Sequence, residues 1–290
     1  MMDYKTILIE VIDGIAVIYL NRPEVMNAWN RRMDREVSQA MRELDRDDTV
    51  RAIVITGKGK AFCAGSDLSG GAEAFVEGED KDPQQTGDVT FPSVMPWQLR
   101  KPVLAAINGH AIGVGITYAM SCDIRLVARA AKIQFAFVRR GIIPELASHV
   151  TVARAVGLSK AADLLLTGRM ITGQEMADMG LASCALPAEE VLKATIERAK
   201  EFLLAAPVAV AISKRLLWEG LNSSVFQMFR REMPLFEWIC RTPDAKEGVA
   251  AFLEKRPPRW RMAASNDLPR LLDEEGKADW KDPSIPLNRY

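Results

Sequence analysis

At 290 residues, with 48% hydrophobic and 26% charged side chains, the chain is an ordinary globular polypeptide with room for one large domain or two modest ones. Lys plus Arg and Asp plus Glu both total 38, so no net charge draws it toward nucleic acid or an acidic membrane surface. Four scattered cysteines without a CxxC pair, and only His110 and His149, argue against a zinc site, a disulfide framework and a Ser-His-Asp triad, leaving carboxylates, backbone donors or a cofactor to carry chemistry. The first residues run straight into an apolar strand without a signal-peptide pattern, and charges or glycines interrupt every apolar run, so a soluble, cytoplasmic protein is expected.

In chain order, Thr6–Val11 and Ile15–Leu20 flank Asp13-Gly14, a hairpin turn signal. Arg31 to Leu44 places Met33, Val37, Met41 and Leu44 on one helical face. Ala52–Thr56 and Val103–Ile107 read as buried strands, Ile112 to Met120 as a short helix led by glycines, and Ile124–Ala128 and Lys132–Phe137 as further strands. Strands separated by helices predict crossovers and mostly parallel pairing. Between them, residues 70–97 hold a Gly-Gly pair, many acids and three prolines, and read as a mobile loop of the kind that faces substrate.

From about Ser148 helices dominate. Thr172 and Glu175 form a capping box, with Gly180 as the stop. Val191–Leu204, Val208–Glu219 and Val225–Cys240 follow, with Pro207 and Pro234 as punctuation, then Pro243 to Leu253 behind the cap Thr242. The expected division is an α/β body over residues 1–206, a helical region over 207–262, and an extension over 263–290 that lies on a neighbour or stays loose.

Two segments carry the chemical signal. In the first, a hydrophobic strand enters a Gly-rich loop and then Ala64-Gly65-Ser66-Asp67-Leu68, a turn of small residues that lets the backbone approach a ligand with free N–H groups. A plain strand–turn–helix connection would look similar. In the second, the strand through Ile107 leads to Asn108-Gly109, and Gly113-Val114-Gly115 opens a helix whose first N–H groups lack internal partners. Such donors suit an anion, including one present only in a transition state. A dinucleotide fingerprint is a weak rival, because Tyr118 stands where the third glycine belongs.

Together these segments and their order resemble the crotonase, or enoyl-CoA hydratase/isomerase, superfamily, over residues from about 5 to 260. Asn21–Ala28, Ser121–Arg125, Ala153–Gly157, Leu166–Gly168, Ala177–Leu181 and Phe252–Pro257 match as well. The resemblance implies an α/β crotonase spiral of ββα turns with a helical C-terminal oligomerisation region, an acyl-CoA substrate, no cofactor beyond its coenzyme A moiety, and a homotrimer or dimer of trimers. It assigns the two oxyanion donors to the N–H groups of Ser66 and Val114. Ala64, Asp67 and Leu68 would meet the adenine half of coenzyme A, with Gly113 also on the coenzyme A side, and Val25 would flank the pantetheine.

The family's hydratases place one glutamate four residues after Gly113 and another four before Gly141, where this chain has Thr117 and Phe137. Neither can act as a general base at neutral pH. Glu145, in Gly141-Ile-Ile-Pro-Glu-Leu-Ala-Ser148, matches by resemblance the lone acid of some Δ3,Δ2-enoyl-CoA isomerases, a catalytic aspartate of dienoyl-CoA isomerases and the nucleophilic aspartate of 4-chlorobenzoyl-CoA dehalogenases. It could instead cap the following helix or pair with Arg139 or Arg140. Asp123, His110 and His149 read as structural or surface residues. Three functions remain open: an enoyl-CoA isomerase working through Glu145, a hydratase using Glu145 or a loop acid (Glu73, Glu77, Glu79 or Asp80), and a non-catalytic acyl-CoA-binding protein.

Overall fold

Asp13 and Gly14, both with positive φ (49° and 79°), close the hairpin between β1 (Ile7–Ile12) and β2 (Ile15–Leu20). The structure is a computed structural model, and it describes residues 4–69, 71 and 94–270. The expected reading of residues 70–97 as a loop falls almost wholly outside the described residues, as do the acids Glu73, Glu77, Glu79 and Asp80.

Behind the hairpin, β3 (Ala52–Gly57), β5 (Val103–Ile107), β7 (Ile124–Ala128) and β10 (Cys184–Leu186) add in parallel, giving a six-stranded sheet in the order β1-β2-β3-β5-β7-β10. Every residue of β3 and β5 is buried, which accounts for their unbroken apolar sequences. A second sheet is built from three-residue strands: β4 (Ala61–Cys63), β6 (His110–Ile112), β8 (Lys132–Gln134) and β9 (Met170–Thr172), in that order. The chain alternates between the sheets, β3 to β4, β5 to β6 and β7 to β8, and so climbs as the expected spiral.

Helix α1 (Arg31–Arg46) starts where the Asn30 side chain accepts the Met33 N–H at 2.9 Å, and it buries Met33, Val37, Met41 and Leu44. Helix α2 (Val114–Met120) is buried throughout and begins two residues later than expected, because Ile112 belongs to β6. The strand expected over Lys132–Phe137 stops at Gln134, and Val138–Arg140 forms a 3-10 turn instead. Then come α3 (Ser148–Val156), α4 (Leu158–Thr167), α5 (Gly173–Asp178), with its Thr172–Glu175 capping box, and α6 (Ala188–Lys200), which packs across β3, β5 and β7.

Pro207 opens α7 (Pro207–Gly220), and Thr242 caps α9 (Pro243–Leu253) by accepting the Ala245 N–H. Between them α8 (Val225–Ile239) runs straight through Pro234, which is therefore not a break. Val208, Ile212 and Leu235 make a small apolar cluster separate from the main core. The first residues beyond 262 bind the body of the same chain: Arg100 donates to the carbonyls of Ala264 and Ser265, and the Ser265 N–H donates to Asp48. The rest of the extension, from 271 onward, lies outside the described residues.

Candidate active site

Parallel pairing of β4 with β6 sets the turns that follow them side by side. Gly65 has φ +107°, and a Cβ built on it would stand 3.3 Å from the Ile112 carbonyl oxygen. Gly113 has φ +54°, and its Cβ would stand 3.7 Å from the Gly65 Cα. Positive φ at both residues favours glycine. Trp29 fixes the first turn by a parallel bridge opposite Ser66. Its N–H donates to Gly65 O, and its carbonyl accepts from Asp67 N, both at 2.8 Å. In such a bridge the facing residue's own N–H points to the other side. The Ser66 N–H is thus turned away from Trp29. Val114 is the first residue of α2, and its N–H has no intrahelical acceptor. The two assigned donors flank the contact between Gly65 and Gly113, an arrangement suited to one oxygen that takes on negative charge.

The residues that the resemblance assigns to coenzyme A lie on or beside this turn. Asn27, fully buried, donates to the carbonyls of Lys58 and Ala61 and accepts the Arg22 N–H. It thereby pins the Pro23–Val25 turn to the loop between β3 and β4. Ala64 donates its N–H to Met26 O, and Val25 and Leu68 remain exposed apolar side chains. The Asp67 carboxylate forms an ion pair with Arg22 at 2.8 Å and accepts the Ser69 N–H. Burial opposes its ionisation, but these hydrogen bonds and the Arg22 charge win and hold it below the usual carboxylate range. Its side chain braces the turn.

The acids are arranged differently from a two-glutamate hydratase. Thr117 is fully buried, with its hydroxyl against the carbonyls of Gly113 and Val114, and Phe137 is buried too. Glu145 is half-buried in the connection before α3. Neither rival role is taken up: the N-cap of α3 is Ala147 without a side-chain cap, Arg139 donates to Thr167 O, and Arg140 donates to Ala136 O. Burial, and then the charge of Asp34, push the Glu145 carboxyl above its ordinary range. The two residues after it, Leu146 and Ala147, both hold φ above +50°, a left-handed conformation that costs roughly 1–2 kcal/mol per non-glycine residue. Strain of this kind collects at functional sites.

Asp34, in the first turn of α1, is a further perturbed carboxylate that the sequence did not single out. Burial pushes it up to about 6, opposed by the Trp29 indole and by Arg35. It shares a helical face with Val37, Ser38 and Met41. Asp123 accepts from Val103 N, Trp218 Nε1 and Lys214 Nζ, and His110 Nδ1 accepts from Lys132 N, so both have structural roles, while His149 is exposed.

Residues 10–263 match the family model described as enoyl-CoA hydratase/isomerase. The chain belongs to the enoyl-CoA hydratase/isomerase family. A probable enoyl-CoA hydratase of Mycobacterium tuberculosis is 35% identical over 269 residues, covering 89% of this chain and 99% of the relative. A crotonyl-CoA hydratase of Syntrophomonas wolfei is 34% identical over 260 residues, covering 88% and 97%. The crystal structure of a probable enoyl-CoA hydratase/isomerase from Mycobacterium abscessus superposes with a TM-score of 0.81 at 37% identity, covering 88% of this chain and 98% of the other. This member of the enoyl-CoA hydratase/isomerase family therefore has the crotonase fold and is an acyl-CoA-processing enzyme. Among its described residues, no helix is long and apolar enough to cross a membrane.

Proposed function

We propose that this enzyme holds the thioester oxygen of an enoyl-CoA between the N–H groups of Ser66 and Val114 and moves one proton through Glu145, most simply as a double-bond isomerase. The observation that carries the reading is Glu145 itself. It is a half-buried carboxylate raised above its ordinary range, not the side-chain cap of α3, and Arg139 and Arg140 bond elsewhere, in a chain whose two usual glutamate positions hold Thr117 and Phe137. In a 3-enoyl thioester, the Glu145 carboxylate takes a proton from C2 and the C–H electrons pass into an enolate whose oxygen faces the two donors. The same carboxyl then returns its proton at C4, leaving the double bond at C2–C3. Nothing outside the site is consumed. Loss of one such donor typically costs about 3–4 kcal/mol of barrier.

Hydration is the second reading, favoured by relatives named as hydratases. The deciding experiment is a matched assay of 2-enoyl-CoA and 3-enoyl-CoA substrates with wild type beside Glu145→Gln. Turnover of the 3-enoyl substrate, lowered roughly 10²–10⁴-fold by the glutamine, is the expected result. Water addition to the 2-enoyl substrate alone would overturn isomerisation. Binding of acyl-CoA without any turnover would leave a non-catalytic binding protein. Calorimetric acyl-CoA binding should survive Glu145→Gln, because the assigned oxyanion donors are backbone groups.

A further inference from the structure

Trp29 touches both halves of the oxyanion arrangement. Its backbone brackets Ser66: the Trp29 N–H donates to Gly65 O and the Trp29 carbonyl accepts from Asp67 N, both at 2.8 Å. Its buried ring lies against Tyr118 with centroids 4.7 Å apart. Tyr118 follows Val114 by one turn of α2, on the same face of that helix. Helix α1 holds both members of this ring pair. The Trp29 indole Nε1 donates to Asp34 Oδ1 at 3.3 Å, and the Tyr118 hydroxyl donates to Met41 Sδ at 3.7 Å. Trp29 and Asp34 stand just before the N-cap Asn30 and one turn after it, where an apolar pair often fixes the angle at which the chain enters a helix. Here an indole–carboxylate hydrogen bond takes that place.

We propose that Trp29 is a positioning residue of the reaction, whose backbone seats the Ser66 turn while its ring seats α2, and that Asp34 keeps the ring in place. The proposal rests on the reading of Ser66 and Val114 as the oxyanion donors, and it makes no use of Glu145. Ser66 lies on the turn after β4 and Val114 opens α2, so the two donors belong to separate elements. A pair of donors works only if both point at the place where charge develops, and a misplacement of about 1 Å can cost about 10²-fold in rate. One residue bonded to the turn and packed on the helix makes the two elements move together. Asp34 serves here only as an acceptor, so an uncharged acceptor of the same shape can replace it.

The test separates holding an enolate from binding a thioester. A β-ketoacyl-CoA has an acidic C2 proton and ionises to an enolate that absorbs in the near ultraviolet. Its bound enolate fraction therefore reads the two donors without any acid–base residue. Trp29→Leu deletes the ring and keeps the backbone. It should lower kcat on the preferred enoyl-CoA substrate by about 10²-fold and lower the bound enolate fraction with it. Calorimetric affinity for a saturated acyl-CoA, which forms no enolate, should change by no more than about twofold. Asp34→Leu should move the same way, and Asp34→Asn, which keeps an acceptor, should rescue most of that loss. A Trp29→Leu protein that is merely less stable in urea, with wild-type kcat and enolate fraction, overturns the proposal. So does a loss of saturated acyl-CoA affinity as large as the loss of kcat. Wild-type behaviour of Asp34→Leu overturns the part given to Asp34. If wild type itself holds no more enolate than free solution does, the oxyanion reading fails, and the role of Trp29 falls with it. Should Trp29→Leu fail to fold, Trp29→Phe, which keeps a ring against Tyr118 but loses the donor to Asp34, must lower the enolate fraction; a wild-type fraction there is equally fatal.

Discussion

Gly115 lies so close to Cys63 that a Cβ built on it would stand 2.3 Å from the Cys63 carbonyl oxygen and 2.8 Å from the Cys63 Cβ. That contact presses α2 onto β4, and so holds the Val114 N–H at the start of α2 close to the turn that follows β4 and carries Ser66. Gly115→Ala must push the two apart. Overpacking of this kind costs about 1–3 kcal/mol of stability, and a displacement near 1 Å at a reacting centre can cost about 10²-fold in rate. The expected outcome is a modest fall in the urea midpoint with a much larger fall in kcat. Wild-type kcat in a destabilised protein would show that the donor spacing does not depend on this contact.

Ser66 should work through its N–H. Its neighbours Gly65 and Asp67 make the bonds to Trp29, so the Ser66 N–H is directed away from that strand and toward the proposed thioester oxygen. Ser66→Ala keeps that donor and should retain most activity, while Ser66→Pro deletes it and should abolish turnover. Steady-state kinetics on the two variants separates the roles. A large loss in the alanine variant would assign work to the hydroxyl.

Much of this architecture was legible because it is encoded locally. Thr172 with Glu175, Thr242 ahead of Pro243, and Asp13-Gly14 each specify a cap or turn through residues no more than three apart, and each is found where expected. The three-residue strands β4 and β6 were not legible, since so short a segment has no period and becomes a strand only by pairing across the spiral. The helix expected over Val225–Cys240 is found over Val225–Ile239 with Pro234 inside it, and the next residue, Leu235, is buried with Val208 and Ile212. Glu145 is singled out only through the family resemblance of its segment, Gly141–Ser148. Asp34 was not singled out, because its shift comes from burial that only the packed fold imposes, with the Trp29 indole set against it.

Lys214 fastens α7 to the α/β body. Its buried ammonium donates to the carbonyls of Pro96 and Lys101 and pairs with Asp123 at 2.8 Å. Asp123 in turn accepts from Trp218 Nε1 at 2.7 Å. Lys214→Met fills similar volume but leaves a mostly buried carboxylate and two carbonyls without their cation. Breaking such a pair typically costs about 3–5 kcal/mol. Urea unfolding should show a loss of that size, and Lys214→Met combined with Asp123→Asn should lose less than the sum of the two single variants. Strict additivity would mean that the pair contributes no coupling.

Asp34 should make stability depend on pH in a direction opposite to most carboxylates. Its carboxyl is pushed from 3.8 up to about 6 in the folded chain, so the folded state holds the proton more tightly than the unfolded state does. The resulting penalty is absent below the unfolded value, grows as pH rises between about 4 and 6, and is complete above that. Two pH units correspond to at most about 3 kcal/mol, since each unit is worth about 1.4 kcal/mol. Asp34→Asn removes the titration while leaving an amide oxygen to accept from the Trp29 indole. The variant should therefore be more stable than wild type at pH 8, with the advantage shrinking steadily as pH falls toward 4. Urea unfolding of both proteins at a series of pH values measures the difference directly. A stability difference that stays constant across that range would mean that Asp34 ionises in the folded chain as it does in water.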